Sequence, residues 1–273
     1  MDFDLVSSMN DCVSAMQEET LSGGSVNHVT RIGNVVLKTA GPWTEAVQIV
    51  LRHLESRGFI YAPRALGRAE DGREMLSFLP GESMLRPWRA PLLEKDGLVQ
   101  ATTMVRRLHA ATRDLVFPAD TEWRSIRAGK VAGQILRHGD LGPWNTLWQE
   151  HTLTGLVDWD LAEPGNPLTD LAQLAYYFVP LRGESGWRDA GFDHEPDFER
   201  RIEAICTAYG SYRPAELIIE LDCWQRFELE RTQKLGGEGR YPWCQWLAEG
   251  EIEVWESDNR WLRQRFKAFF SPE

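Results

Sequence analysis

Cysteine is scarce in this 273-residue chain: Cys12, Cys206, Cys223 and Cys244 are all there is. Four thiols so scattered make no disulfide framework for a chain of this length, and none sits in a C-x-x-C pair. A structural zinc site needs two closely spaced ligand pairs, which His194 and Cys206 do not make. Long hydrophobic runs are lacking too. No stretch of about 18 uninterrupted apolar residues occurs, and the opening MDFDLVSSMN carries acids where a signal peptide needs bases. Membrane spanning and Sec export are not expected; reduced, packed thiols in a cytoplasmic protein are. Positive charge is in deficit, with 30 Lys and Arg against 41 Asp and Glu and a formal net charge of −11. That sign is wrong for a protein held to nucleic acid by counterion release. No internal repeat or low-complexity tract interrupts the sequence. What is present is a globular composition, 42% hydrophobic and 26% charged, in a chain long enough for one large domain or two lobes.

Turn signals at short spacing mark the first third as antiparallel strands. Residues 26–32 and 35–39 flank Gly33-Asn34, a two-residue hairpin connection. Residues 64–69 and 73–78 bracket Glu70-Asp71-Gly72, a second hairpin with Asp-Gly turn chemistry. Between the hairpins, Thr44 is placed to cap a helix in which Val47, Val50, Leu51 and Leu54 recur at helical spacing and Gly58 supplies the stop. After Leu79-Pro80-Gly81 the alternation ends and helical periodicities begin. Leu98, Ala101, Met104, Val105 and Leu108 form one stripe; Leu217, Ile218, Leu221 and Trp224 a second; Trp255, Leu262, Phe266 and Phe269 a third. Short strands are predicted again between residues 134 and 158. The expected architecture is α+β with two lobes: residues 1–79 as a small antiparallel-sheet lobe and residues 80–273 as a larger, mainly helical one.

The chemistry concentrates in two segments. Residues 138–145 read HGDLGPWN and residues 156–160 read LVDWD. An Asp, an Asn five residues later and an Asp eighteen after the first is a kinase-like spacing. A loop can hold Asp140 against a substrate hydroxyl and point the Asn145 amide oxygen at a metal, and the intervening hairpin returns Asp158 to the same ion. Hard oxygen ligands suit Mg²⁺, which keeps several waters and bridges nucleotide phosphates. His138 reads as a packed, hydrogen-bonded histidine, since Asp140 already fills the role of base; Asp160 reads as an acid that either assists the metal or begins the next loop, the second being preferred, and His109 as a core residue.

On HGDLGPWN and VDWDLAEPGNPLTDLA, with GPWTEAV, REMLSFLPGE and VRRLHAAT beside them, the sequence resembles the aminoglycoside phosphotransferase and choline kinase family, which shares the protein-kinase fold. The resemblance runs roughly from residue 21 to 262. It implies that Asp140 is the catalytic base, that Asn145 and Asp158 are magnesium ligands, and that Asp170 is a structural acid supporting the catalytic loop. It further implies ATP and Mg²⁺ as cofactors, with adenine against the backbone of Ser77, Phe78 and Leu79. Lys38, ending the strand Val35-Val36-Leu37, stands where this fold keeps the lysine for the α- and β-phosphates. Its acidic partner is expected on the following helix. Glu45, in the first turn, is better placed than Glu55 near the end. Gly23, Gly24 and Ser25, ahead of a strand, offer unhindered backbone N–H groups to phosphate without matching G-x-G-x-x-G. Gly139 replaces the arginine of H-R-D and no A-P-E follows, which points away from a phosphorylation-switched protein kinase.

Charge supplies the one clue to the acceptor. Residues 184–258 hold eighteen acids against eight bases, together with Trp187, Trp224, Trp243, Trp246 and Trp255. A negative, aromatic wall would draw in a cationic substrate by steering and cation–π contact; acidic surface helices with tryptophans filling the core would give the same counts. Asp222, Glu228 and Glu230 are the acids placed first at such a wall. The expected function is transfer of the γ-phosphoryl group of ATP to a hydroxyl of a small molecule, aminoglycoside-type and cationic. A kinase of another metabolite, such as an amino alcohol, sugar or macrolide, and a nucleotide-binding pseudokinase are the alternatives.

Overall fold

The computed structural model describes residues 18–21, 29–126 and 128–270. Alternation of side chains builds its first sheet, an antiparallel array in the order β1-β2-β3-β5-β4. Its strands are β1 (Glu19–Thr20), β2 (Thr30–Ile32), β3 (Val35–Lys38), β4 (Ala65–Arg68) and β5 (Glu74–Ser77). Gly33 turns the first hairpin with φ 57° and Gly72 the second with φ 85°, both in the left-handed region that glycine enters without strain. In the β3–β5 ladder Leu37 pairs with Met75 and Lys38 with Glu74. The period of two then sorts the side chains. Ile32, Val35, Leu37 and Met75 make a small apolar cluster on one face, leaving Val36, Lys38, Glu74 and Leu76 on the other.

That second face meets α1 (Thr44–Ser56), whose Val47, Val50, Leu51 and Leu54 are buried at the predicted spacing. The cap differs from expectation. Trp43 holds the N-cap position and Thr44 is the first helical residue, its hydroxyl accepting a 2.9 Å hydrogen bond from the Gly41 N–H. At the other end Gly58, at φ 69°, follows the C-cap Arg57.

Past Gly81 the chain enters β6 (Glu82–Ser83), which pairs with β8 (Thr146–Gln149), itself paired with β9 (Thr152–Leu156). Gly81 has φ 143°, and a Cβ there would lie 2.8 Å from Thr154 Oγ1 and 3.1 Å from Trp148 N, so the crossing admits no side chain. The rest is mainly helix: α2 (Lys95–Thr112), α3 (Pro167–Phe178), α4 (Glu184–Asp189), α5 (Phe198–Tyr209), α6 (Pro214–Gly237), α7 (Trp243–Ala248) and α8 (Glu251–Arg265). A two-stranded ladder, β7 (Ile135–Arg137) with β10 (Glu163–Gly165), lies between α2 and α3 in sequence.

The first two predicted helical stripes are buried throughout. The third is buried at Leu262 and Phe266, while Phe269 is exposed. One continuous core runs from α1 through α2, α3, α5 and α6 to Leu262. Among the described residues, no helix is long and apolar enough to cross a membrane.

Candidate active site

The loop after β7 is clamped from α3. Asp170 and Gln173, close to one turn apart on that helix, reach opposite ends of the loop. Asp170 Oδ2 accepts the His138 N–H at 3.1 Å, while Gln173 takes the Leu141 N–H at 2.9 Å and donates to the Gly139 carbonyl at 3.0 Å. Gly139 has φ 78°, and a Cβ there would run into the Leu161 carbonyl oxygen. His138 is fully buried. Its Nε2 donates to the Val157 carbonyl at 3.0 Å and its Nδ1 accepts the Asp140 N–H at 3.3 Å, a network that assigns the neutral ring. Burial lowers its pKa in the same direction. The ring holds the Asp140 loop against the strand returning through Val157.

The two halves of the site meet at the base of the β8–β9 hairpin. Thr146 lies opposite Leu156, and the Val157 N–H donates to the Asn145 carbonyl at 2.9 Å, so Asp158 follows directly beside Asn145. Asn145, on the short 3-10 turn Pro143–Asn145, donates its Nδ2 to the Asp140 backbone carbonyl at 2.9 Å and to Asp140 Oδ2 at 2.7 Å. Its Oδ1 is thereby kept as an acceptor. Asp158 has φ 60°, a sparsely populated conformation for a side-chain-bearing residue.

Lys38 Nζ reaches Asp158 Oδ1 at 3.2 Å across 120 residues of sequence. Burial and the Asp158 charge push the Asp140 carboxyl up to about 6, against the opposing hydrogen bonds from Asn145 and Trp144. Burial works against ionised Asp158, but the Lys38 ammonium outweighs it and holds that carboxyl below its ordinary range.

Asp140, Asn145, Asp158 and Lys38 are therefore brought together. Glu45 is not: it is exposed, and Glu55 pairs with Arg64 on the surface at 3.1 Å. The helix turns Gln48 inward instead, where it donates to Glu74 at 2.8 Å. Lys38 pairs with Asp160 at 2.6 Å as well as with Asp158. Asp160, expected to begin a loop with a metal-assisting role as the alternative, is buried and also bound by Arg124 at 3.0 Å. Sequence reasoning missed the pairing of Asp160 with Lys38, and Arg124 altogether. An acid two residues beyond a ligand candidate was a signal for the first, but nothing local marks the second.

Ser77 and Phe78 spend their backbone N–H groups on the carbonyls of Arg64 and Asn34, at 3.0 and 2.8 Å. Among the described residues, no sheet carbonyl takes the amide of Leu79, the third of that trio. Gly23, Gly24 and Ser25 lie outside the described residues.

Of the three acids assigned to an acceptor wall, Asp222 is neutralised by Arg263 at 2.6 Å and Arg226 at 3.0 Å, and Glu230 is exposed. Glu228 differs from both. It is buried, its Oε2 is held by Arg231 at 2.7 Å, and its Oε1 has no partner. Trp187, Trp224 and Trp243 are core side chains, and Trp246 packs its ring 6.0 Å from that of Trp255. Three of the five tryptophans thus fill the interior, and Trp246 and Trp255 are half-buried against each other. Trp144 and Tyr177, with ring centroids 4.7 Å apart, are the half-buried aromatics next to the Asp140 loop.

Among the described residues no group of three or more His, Cys, Asp and Glu side chains is arranged to hold a metal. Asn145 Oδ1 and the Asp158 carboxylate, 40% exposed, offer two hard oxygens. Such a donor set fits a cation that completes its shell with water and phosphate oxygens.

The sequence profile described as the phosphotransferase enzyme family matches residues 87–204. A trifolitoxin immunity protein of Rhizobium leguminosarum bv. trifolii is 38% identical over 202 residues, spanning 72% of this chain and 75% of that protein. A GDP complex of an aminoglycoside 2'-phosphotransferase superposes with TM-score 0.61 at 16% identity, covering 94% of this chain and 97% of the other. A choline/ethanolamine kinase family protein from Mesorhizobium loti gives 0.58 at 17% identity, covering 98% and 95%. At such identities the structural likeness is one of fold.

Proposed function

Because the chain belongs to the phosphotransferase enzyme family and has its two-lobe, protein-kinase-like α+β fold, we propose that it transfers the γ-phosphoryl group of ATP to a hydroxyl of a small molecule. One observation carries this reading: Asn145 ties itself to Asp140 at 2.7 Å while the adjoining Asp158 takes Lys38 at 3.2 Å. Base, metal donors and phosphate-binding cation therefore share one place. In this reading the lobes divide after Leu79, whose backbone faces adenine.

Asp140 orients the acceptor hydroxyl and takes its proton as the oxygen bonds to the γ-phosphorus and the bond to the ADP oxygen breaks. The Asn145 amide fixes the base by hydrogen bonding its Oδ2. Lys38 holds the α- and β-phosphates. A magnesium ion held by Asn145 Oδ1 and Asp158 would supply screening of charge on the transferring group.

A cationic, aminoglycoside-type acceptor is favoured. The support is Glu228, whose unpartnered buried oxygen is suited to an ammonium group and whose charge is felt by Asp140. The name of the Rhizobium relative, an immunity protein against a toxin, supports a protective reaction in which a toxic acceptor is phosphorylated.

The test is Mg-dependent ATP consumption over aminoglycosides, amino alcohols, nucleosides and macrolides, with Asp140→Ala as the control. An acceptor-dependent turnover that falls about a thousand-fold in Asp140→Ala, with nucleotide affinity retained, is the expected result. Nucleotide binding without turnover on any acceptor would replace the enzyme by a pseudokinase.

A further inference from the structure

A kinase lysine works only while an acid keeps it aimed at the phosphates, and in this fold class that acid comes from the helix after the strand. Here the helix offers none. The buried face of α1 carries Thr44, Ala46, Val47, Gln48, Val50, Leu51 and Leu54. Gln48 stands at the inward position and is spent on Glu74. Among the described residues, Asp158 and Asp160 are the carboxylates within ion-pair distance of Lys38.

Those two acids are not equivalent. The Asp158 side chain is 40% exposed and accepts Lys38 at 3.2 Å; that of Asp160 is 4% exposed and accepts it at 2.6 Å. Asp160 uses Oδ1 for Lys38, and its Oδ2 is held by Arg124 Nη1 at 3.0 Å. Arg124 is itself immobilised. Its guanidinium lies 4.3 Å above the ring of Trp43, the N-cap of α1, and its backbone carbonyl accepts from Arg240, which precedes α7. One arginine thus links the start of α1, the turn after Asp158 and the C-terminal helices to a single carboxylate.

We propose that Asp160, locked by Arg124, is the positioning acid for Lys38 in place of a helix-borne glutamate. The division of labour leaves Asp158 to the cation while Lys38 keeps its orientation toward the nucleotide. Arg124 acts through Asp160: it balances the charge of a buried carboxylate and denies it the rotation that would release the lysine. This inference rests on the reading of Lys38 as the phosphate lysine.

Nucleotide titration calorimetry, which needs no acceptor, tests the pair apart from the reaction. Asp160→Asn is expected to weaken Mg·ATP binding roughly ten-fold in the native background and to have no further effect when Lys38→Met is already present. Arg124→Gln should weaken binding by a similar factor, and Arg124→Lys should restore most of it.

An equal loss in both lysine backgrounds, or unchanged affinity in Asp160→Asn, overturns the proposal. If Asp160→Asn does not fold, the Arg124→Gln cycle against Lys38→Met decides by the same criterion. Native protein that binds no nucleotide at all would instead overturn the parent reading of the site.

Discussion

A methyl group at position 139 would meet the Leu161 carbonyl, and the backbone there is left-handed. Steric exclusion accounts for glycine in HGD, a constraint that the missing activation-loop arginine does not by itself reveal. Asp170 shows a different constraint on the same loop. It is fully buried, which opposes its ionisation, but the His109 hydrogen bond at 3.1 Å, the Arg137 guanidinium and the His138 N–H hold its carboxyl below the ordinary range. A carboxyl with a depressed native pKa stabilises the fold at all pH above its unfolded value, and that stabilisation is lost as pH falls through the native value. Asp170→Asn should therefore cost about 3 kcal/mol near neutral pH. The gap from native protein should narrow as the pH drops below about 4. Urea midpoints measured along that pH series check it; a gap that stays constant counts against the assignment.

At the scale of elements, α1 was legible in outline and misleading in detail. Its apolar spacing fixes which side packs, since Val47, Val50, Leu51 and Leu54 can only face the core. The identity of the residue facing Lys38 depends on the rotation of the helix against the sheet, which no local pattern supplies. With the structure's rotation, Glu45 faces water and Gln48 satisfies the Glu74 carboxylate, 1% exposed. Gln48→Ala should destabilise the protein by about 1–3 kcal/mol by stranding that acid, whereas Glu45→Ala should change stability by less than about 0.5 kcal/mol and leave nucleotide affinity untouched. Thermal melts and a nucleotide titration on the two variants decide the matter. If Glu45→Ala weakens nucleotide binding, the Lys38 pairing described above is wrong. The β8–β9 hairpin was more readable, because its strands are adjacent in sequence and their pairing alone brings Asn145 beside Asp158.

For the molecule as a whole, the continuity of the core matters more than its division into lobes. Apolar residues of α1 and Leu76 of β5 belong to the same cluster as those of α2, α3 and α6, while Ile32, Val35, Leu37 and Met75 form a separate small cluster. Loss of any part exposes the rest, so unfolding should be one cooperative transition. Far-UV circular dichroism and the fluorescence of the 12 tryptophans should report the same urea midpoint, and Leu54→Ala should shift both together by about 2–5 kcal/mol. Separate midpoints would show two independently melting units. The acidic excess of residues 184–258 also takes its meaning at this scale. Much of it is paired or solvated, as at Asp222 and Glu230, and Glu228 alone of the three nominated acids keeps an unpaired buried oxygen.

Residue identity at short spacing determined the hairpins, the helical stripes and the trio Asp140, Asn145 and Asp158, because turns and a single hairpin are local and their geometry follows from a few adjacent residues. The partners of Lys38, the clamp of α3 on the Asp140 loop and the anchoring of Asp160 by Arg124 were decided only when distant segments packed. Those contacts depend on the rotation and separation of whole elements, quantities that long-range burial sets.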